Sequence, residues 1–164
     1  MVYNEDTINK IKDLLVAREE TVAVAESVTA GHLQAAFSAG MEASKYFQGG
    51  ITVYNLGQKA RHLNVDPILC EKVNCVHPRI AHKMATEVSK KFASDYGIGI
   101  TGYASIVPEC EKEGIFAFFS ISYKDEVVLT GKVTCKEMLP SDVQVDYSKQ
   151  VIEKMHEFLT SKEP

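Results

Sequence analysis

The stretch 21–31, TVAVAESVTAG, concentrates the groups in this chain that could do chemistry. Two hydroxyls, Ser27 and Thr29, stand beside the carboxylate of Glu26 in a run of small residues. The residues before them, 21–25, alternate β-branched and small apolar types, as a short buried strand does. Gly31 then opens an apolar-periodic run through Leu33, Ala36 and Phe37 that suits a helix. A strand, a tight turn bearing hydroxyls and a helix start together suit a small anionic or acyl substrate. A hydroxyl can attack, while free backbone N–H groups and the positive end of the helix dipole receive negative charge. The competing reading is a simple helix cap by Ser27 or Thr29. Three residues beyond them stand Ala30 and His32, so neither completes a capping box.

The elements that must position this turn follow from patterning. A first helix over 7–18 carries Ile8, Ile11, Leu14 and Leu15 on one face. The helix after Gly31 ends at Gly40, and 41–49 reads as a loop containing Tyr46 and Phe47. A second strand is expected at 50–54, followed by a turn and short helix over 55–63. Asp66-Pro67 starts another helix that would spend Ile68, Leu69 and Val73 on the core. Pro78 opens a longer one with Ile80, Met84, Val88 and Phe92 spaced by four. Strands follow at 97–101, 115–123 and 126–135, the last two as a hairpin. A final helix is expected from Ser141, where Ser141 and Gln144 form a capping-box pattern; it buries Val151, Met155, Phe158 and Leu159. This order predicts an α/β fold, a three-layer α/β/α sandwich on a mixed, mainly parallel sheet, as one domain over 1–164. Ligands in such sheets gather beyond the carboxyl ends of the strands, here the loops 26–31, 54–59 and 101–113.

Composition excludes several classes. With 45% hydrophobic and 24% charged residues in 164, the chain can bury a proper core. A net charge of −4 and the lack of any Lys/Arg stripe argue against nucleic acid as a partner. The acidic, polar N-terminus is not a signal peptide, and no apolar run approaches the ~20 residues of a membrane span. Cys70, Cys75, Cys110 and Cys135 have no C-x-x-C spacing and do not look like a disulfide framework, which favours a reducing cytoplasm. Cys75, His77 and His82 lie close together, but their spacing matches no standard zinc set, so no metal or other cofactor is expected. Arg61-His62 and Lys90-Lys91 read as solvated helix faces.

Three segments, AESVTAG, FQGGITVYNLGQK and GIGITGYA, resemble the C-terminal domain of the competence/damage-inducible protein CinA. The same domain occurs alone as the bacterial nicotinamide-nucleotide amidase. The similarity runs over essentially the whole chain, with the three motifs in the family's order. It implies a three-layer α/β/α fold and hydrolysis of the carboxamide of nicotinamide mononucleotide to nicotinate mononucleotide and ammonia. Carried over by position, the nucleophile is Ser27, and the family's Tyr and Lys of YSNxAK fall on Tyr54 and Lys59. Substrate contacts are implied at Glu26, Thr29, Ala30, Gly31, Gly50, Thr101, Gly102 and Tyr103. The chemistry is coherent: amide hydrolysis needs a nucleophile, a base that later protonates ammonia, and donors for the oxyanion. Lys59 serves as that base where burial or a neighbouring cation lowers its pKa. Tyr54 would relay the proton or orient the pair, and N–H groups near Thr29 and Gly31 would hold the oxyanion or a phosphate.

Departures from the family pattern cluster at the same loops. AESCTGG becomes AESVTAG, so Val28 and Ala30 replace Cys and Gly, and the GxAGP turn becomes Gly102-Tyr103-Ala104-Ser105-Ile106. His77 stands where relatives carry Ser, and Lys132 stands near the family's late Arg; no Arg follows Arg79. Lys supplies charge there but not a bidentate phosphate grip. Two functions are therefore expected in order: an amidohydrolase acting through Ser27 and Lys59, and, as the alternative, an inactive or re-specialised paralogue binding a nucleotide-like ligand. A homo-oligomer is compatible with a sheet of this size, although no residue carries that expectation.

Overall fold

A computed structural model describes residues 2–162. Its core is a five-stranded sheet in the order β2-β1-β3-β4-β5. The strands are β1 (Val22–Glu26), β2 (Phe47–Thr52), β3 (Tyr96–Gly102), β4 (Ile115–Tyr123) and β5 (Glu126–Cys135). β1 pairs parallel with β2 and β3; β4 runs antiparallel to both β3 and β5. The helices are α1 (Glu5–Ala17), α2 (His32–Ser38), α3 (Leu56–Leu63), α4 (Pro67–Lys72), α5 (Pro78–Phe92) and α6 (Pro140–Ser161). The mixed α/β/α architecture and the expected element order are both present.

Strand parity divides the core. Val22 and Val24 of β1 join Ile98 and Ile100 of β3 in a cluster covered by α1, α2 and α6. Ala23 and Ala25 face the other side, against Leu63, Ile80, Met84 and Val88. β1 therefore hands the chain to α2 on one face, while β2 hands it to α3 on the opposite face. A crevice opens between their carboxyl ends, where ligands bind in sheets of this kind.

On the α5 face, close approach dictates small residues. A Cβ on Gly97 would lie 2.0 Å from the carbonyl oxygen of Ala85, and one on Gly99 would lie 2.5 Å from that of Ala81. Both contacts are to backbone, so α5 or the sheet would have to move. Gly97→Ala is expected to cost about 3 kcal/mol in urea unfolding. A loss below half that would show that the α5–sheet contact yields easily.

Several boundaries differ from the sequence expectation. β2 begins at Phe47 rather than 50, and a short 3-10 turn, Ala43–Lys45, replaces part of the expected loop. A register shift between Val22 and Ala23, with Gly49 at φ +126°, lets the strand pair three residues earlier. α6 begins at Pro140, with Leu139 as N-cap and no side-chain cap bond. Proline's fixed φ starts this helix, and Ser141 lies inside its first turn. Ile68 is 66% exposed; in α4 the buried position belongs to Cys70. Cys70 and Cys75 are joined in a disulfide, against the expectation of no such framework, while Cys110 and Cys135 are free. Among the described residues, no helix is long and apolar enough to cross a membrane.

Candidate active site

Ser27 is the first residue beyond β1. Its N–H donates to the carbonyl of Ile100 on β3 (3.2 Å), and its carbonyl accepts from the N–H of Ala30 (3.1 Å), closing a tight turn. Ala30 (φ +50°) and Gly31 (φ +102°) complete the reversal into α2. The Cβ at Ala30 thus sits on a left-handed backbone, a conformation glycine adopts at lower cost. By alternation, Ser27 follows Ala23 and Ala25 onto the α3 side of the sheet.

Lys59 arrives from α3. Asn55 caps that helix by accepting from the N–H of Gln58, and Lys59 follows one turn in. Its side chain is 1% exposed and Ser27 is 7% exposed. Lys59 Nζ donates to Ser27 Oγ at 2.8 Å, to the carbonyl of Val53 at 3.1 Å and to that of Tyr54 at 3.4 Å. Burial pushes the Lys59 pKa down to about 8. Those two carbonyls can only accept, so they hold two N–H bonds in either protonation state. In the neutral amine the lone pair is therefore left facing Ser27 Oγ. This arrangement can take a proton from the hydroxyl.

The pair opens into a cleft of ≈ 390 Å³ built at the carboxyl ends of β1, β2 and β3. Ser27, Val28, Tyr54 and Lys59 line it together. Asn74, Cys75 and Val76 form a second wall, and Thr101, Gly102 and Tyr103 a third. Pro140 and Gln144 from the first turn of α6 close the rim. Among the described residues the N–H of Val28, directly after Ser27, has no acceptor. It is the donor best placed by sequence neighbourhood for an oxyanion on a group attacked by Ser27. Asn74 and Gln144 line the cleft without any sequence signal, brought in by a loop and a distant helix, while Ser105 belongs to the loop 101–113 expected there.

The structure does not gather all the residues expected there. The Glu26 side chain points to the opposite face of the sheet, as its parity with Val22 and Val24 requires. Its carboxylate accepts from Thr29 Oγ1 (2.7 Å), the N–H of Leu33 (2.8 Å), the N–H of Gln34 (3.0 Å) and Gln34 Nε2 (2.9 Å). Glu26 therefore occupies the α2 N-terminus that was expected to hold an oxyanion or phosphate. Thr29, Ala30 and Gly31 lie outside the cleft lining, as does Gly50. Gly50 instead lets Gln34 pack close over Val24. Tyr54 rims the cleft with its side chain 74% exposed, and it is its carbonyl, not its phenol, that meets Lys59. Thr101 lines the cleft but donates its hydroxyl to the carbonyl of Cys75 (2.6 Å), and Tyr103 packs edge-on against Phe116. Lys132 pairs with Glu113 and lies over the Phe116 ring, away from the cleft lining. Of the three residues weighed for metal, Cys75 is disulfide-bonded, His77 caps α5 and His82 bonds Thr130.

Glu26→Gln leaves one N–H donor facing an amide NH2 and removes the charge at the helix start. It is expected to destabilise the fold by about 2–3 kcal/mol in denaturant unfolding. An unchanged midpoint would show that α2 does not depend on this carboxylate.

Comparison with known proteins bears on the family and the fold. The model of the CinA C-terminal domain matches residues 4–159. A Natranaerobius thermophilus protein named for competence-damage induction is 30% identical over 159 residues, covering 95% of this chain and 36% of that protein. A CinA-like protein of Synechocystis is 42% identical over 102 residues, 62% of this chain and 24% of that protein. The chain thus spans about a third or less of the curated relatives it matches. A competence or damage-inducible protein from Enterobacter asburiae superposes with a TM-score of 0.87 at 21% identity, covering 94% of this chain and 97% of that one. A CinA superfamily protein from Enterobacter cloacae gives 0.85 at 22% identity, with 97% and 94% covered. The likeness to these two structures is one of fold, and the family match spans nearly every element: the chain belongs to the CinA C-terminal domain family.

Proposed function

We propose that the chain is an amidohydrolase that deamidates nicotinamide mononucleotide through Ser27 and Lys59. The observation that carries this reading is the 2.8 Å contact between a buried lysine and a serine that both line a cleft. Neutral Lys59 takes the hydroxyl proton as Ser27 Oγ adds to the carboxamide carbon, and the Val28 N–H faces the developing oxyanion. The Lys59 ammonium then protonates the leaving nitrogen, ammonia departs, and an ester on Ser27 remains. Water, deprotonated by Lys59, cleaves the ester and restores the hydroxyl. No metal or cofactor is called for in these steps. The proposed setting is the cytoplasm, where such nucleotides are found.

The test is ammonia and nicotinate mononucleotide release from nicotinamide mononucleotide across pH. At pH 7 about a tenth of Lys59 is neutral if its pKa is about 8. kcat/KM is expected to rise about tenfold per pH unit below that value and to level above it. A profile flat between pH 6 and 9 would remove Lys59 as the base. Among the described residues Lys59 is the single cation lining the cleft, so no Arg grips a substrate phosphate there, and this favours a second reading, an inactive or re-specialised paralogue that binds a nucleotide-like ligand without turnover. A ligand-induced rise in melting temperature without ammonia would select it.

A further inference from the structure

We propose that Cys70 and Cys75 form a reversible thiol–disulfide site whose oxidation state sets the shape of one wall of the catalytic cleft. The inference rests on this cleft being the place of turnover. It goes beyond that reading by assigning the site a chemical control.

α4 ends in a left-handed turn at Asn74 (φ +50°), and the N–H of Cys75 reaches back to the carbonyl of Cys70 at 2.7 Å. This helix termination brings the side chains of its third-last residue and of the second residue past its cap together, usually as an apolar contact. Here both are cysteines, and they are covalently joined. Asn74 would hold the turn without the bond. Cys75 is different, since it also lies at φ +57°, a conformation that side chains with a Cβ disfavour. In that conformation its carbonyl accepts from Thr101 Oγ1 at 2.6 Å. Thr101 is 1% exposed and lies at the carboxyl end of β3, next to the end of β1 that carries Ser27. The disulfide thus keys the wall of Asn74, Cys75 and Val76 to the sheet edge bearing the nucleophile.

Reduction is a balanced exchange with a dithiol. A reductant thiolate attacks the half-buried Cys75 sulfur at the cleft wall and expels the Cys70 thiolate. The reductant's second thiol then displaces Cys75, leaving two protein thiols and an oxidised reductant. Freed from Cys70, Cys75 can return to negative φ, which swings its carbonyl away from Thr101. The closed ring is short, so the constraint on the unfolded chain is small and the consequence is local. Disulfides of reducing compartments are typically transient and redox-sensing, which suits this pair.

The full chain is compared after treatment with oxidised glutathione and with dithiothreitol. Alkylation in denaturant should label two cysteines in the oxidised form and four in the reduced form. Amide exchange across 73–77 should quicken at least tenfold on reduction, and kcat/KM for ammonia release should fall at least fivefold. Cys70→Ala, outside the cleft lining, should show the reduced-form exchange and turnover under both treatments, with three cysteines alkylated. Four alkylated cysteines after oxidation would overturn the inference, as would measurable turnover equal within twofold in the two forms, or exchange across 73–77 unchanged by reduction. Faster exchange with no ammonia from either form would leave the inference standing and remove the amidase reading.

Discussion

Replacing Lys59 by Met is expected to abolish turnover, by at least about 10³-fold in kcat, while leaving the chain as stable as the wild type or more so at pH 7. The two effects have one origin. Burial that lowers the Lys59 pKa from 10.5 to about 8 is a cost the folded state bears whenever the amine is charged. Below about pH 8 both folded and unfolded chains hold the proton, and the full cost, about 3 kcal/mol, is felt. Between about 8 and 10.5 the folded chain releases the proton first and the unfolded chain still binds it, so stability rises with pH. Met fills a similar volume without the charge, although it leaves the carbonyls of Val53 and Tyr54 without this donor. Urea unfolding at pH 7 and 9.5 should therefore show a gain for the wild type and none for Lys59→Met. A variant less stable than the wild type by more than about 1 kcal/mol at pH 7 would mean that the ammonium stabilises the fold and is not held there at a cost for chemistry.

Much of the architecture is legible in the residues, because strong local signals agree with the global fold. The nearly continuous apolar run at 115–123 and its turn at Lys124-Asp125 place β4 and β5 at their observed bounds. The four-residue spacing of Ile80, Met84 and Val88 marks the face of α5 that covers the sheet. What eludes reading depends on register and tertiary context. A bulge beside Gly49 moves the start of β2, and proline overrides a capping-box pattern at α6. At the site, Ser27 and Lys59 are identified from their motifs and lie in contact, whereas Glu26 is one residue from Ser27 and so faces the other side. Period-two alternation alone could have separated them. The disulfide could not have been read, because the turn that brings Cys70 to Cys75 is set by the end of α4. Asn74 and Gln144 reach the cleft from elements far apart in sequence, with nothing in their local patterns to announce it.

Ser27→Ala is expected to be as damaging to turnover as the loss of Lys59, for a different reason. In the proposed route the hydroxyl supplies the bond-forming oxygen, so its removal would take away the covalent step while the Val28 N–H and the cleft walls remain. Only one light atom is deleted, next to the cleft. Stability should change by less than about 1 kcal/mol, with the Lys59 ammonium still held by two carbonyls. Nicotinamide mononucleotide should therefore still raise the melting temperature of the variant. The most direct measurement is ammonia release from this substrate at pH 9 by wild type and Ser27→Ala at equal concentration. Steady release by the wild type and at least about a 10³-fold loss in the folded variant are expected. Equal rates from the two proteins would contradict the proposed route, since the attacking oxygen would then have to come from elsewhere.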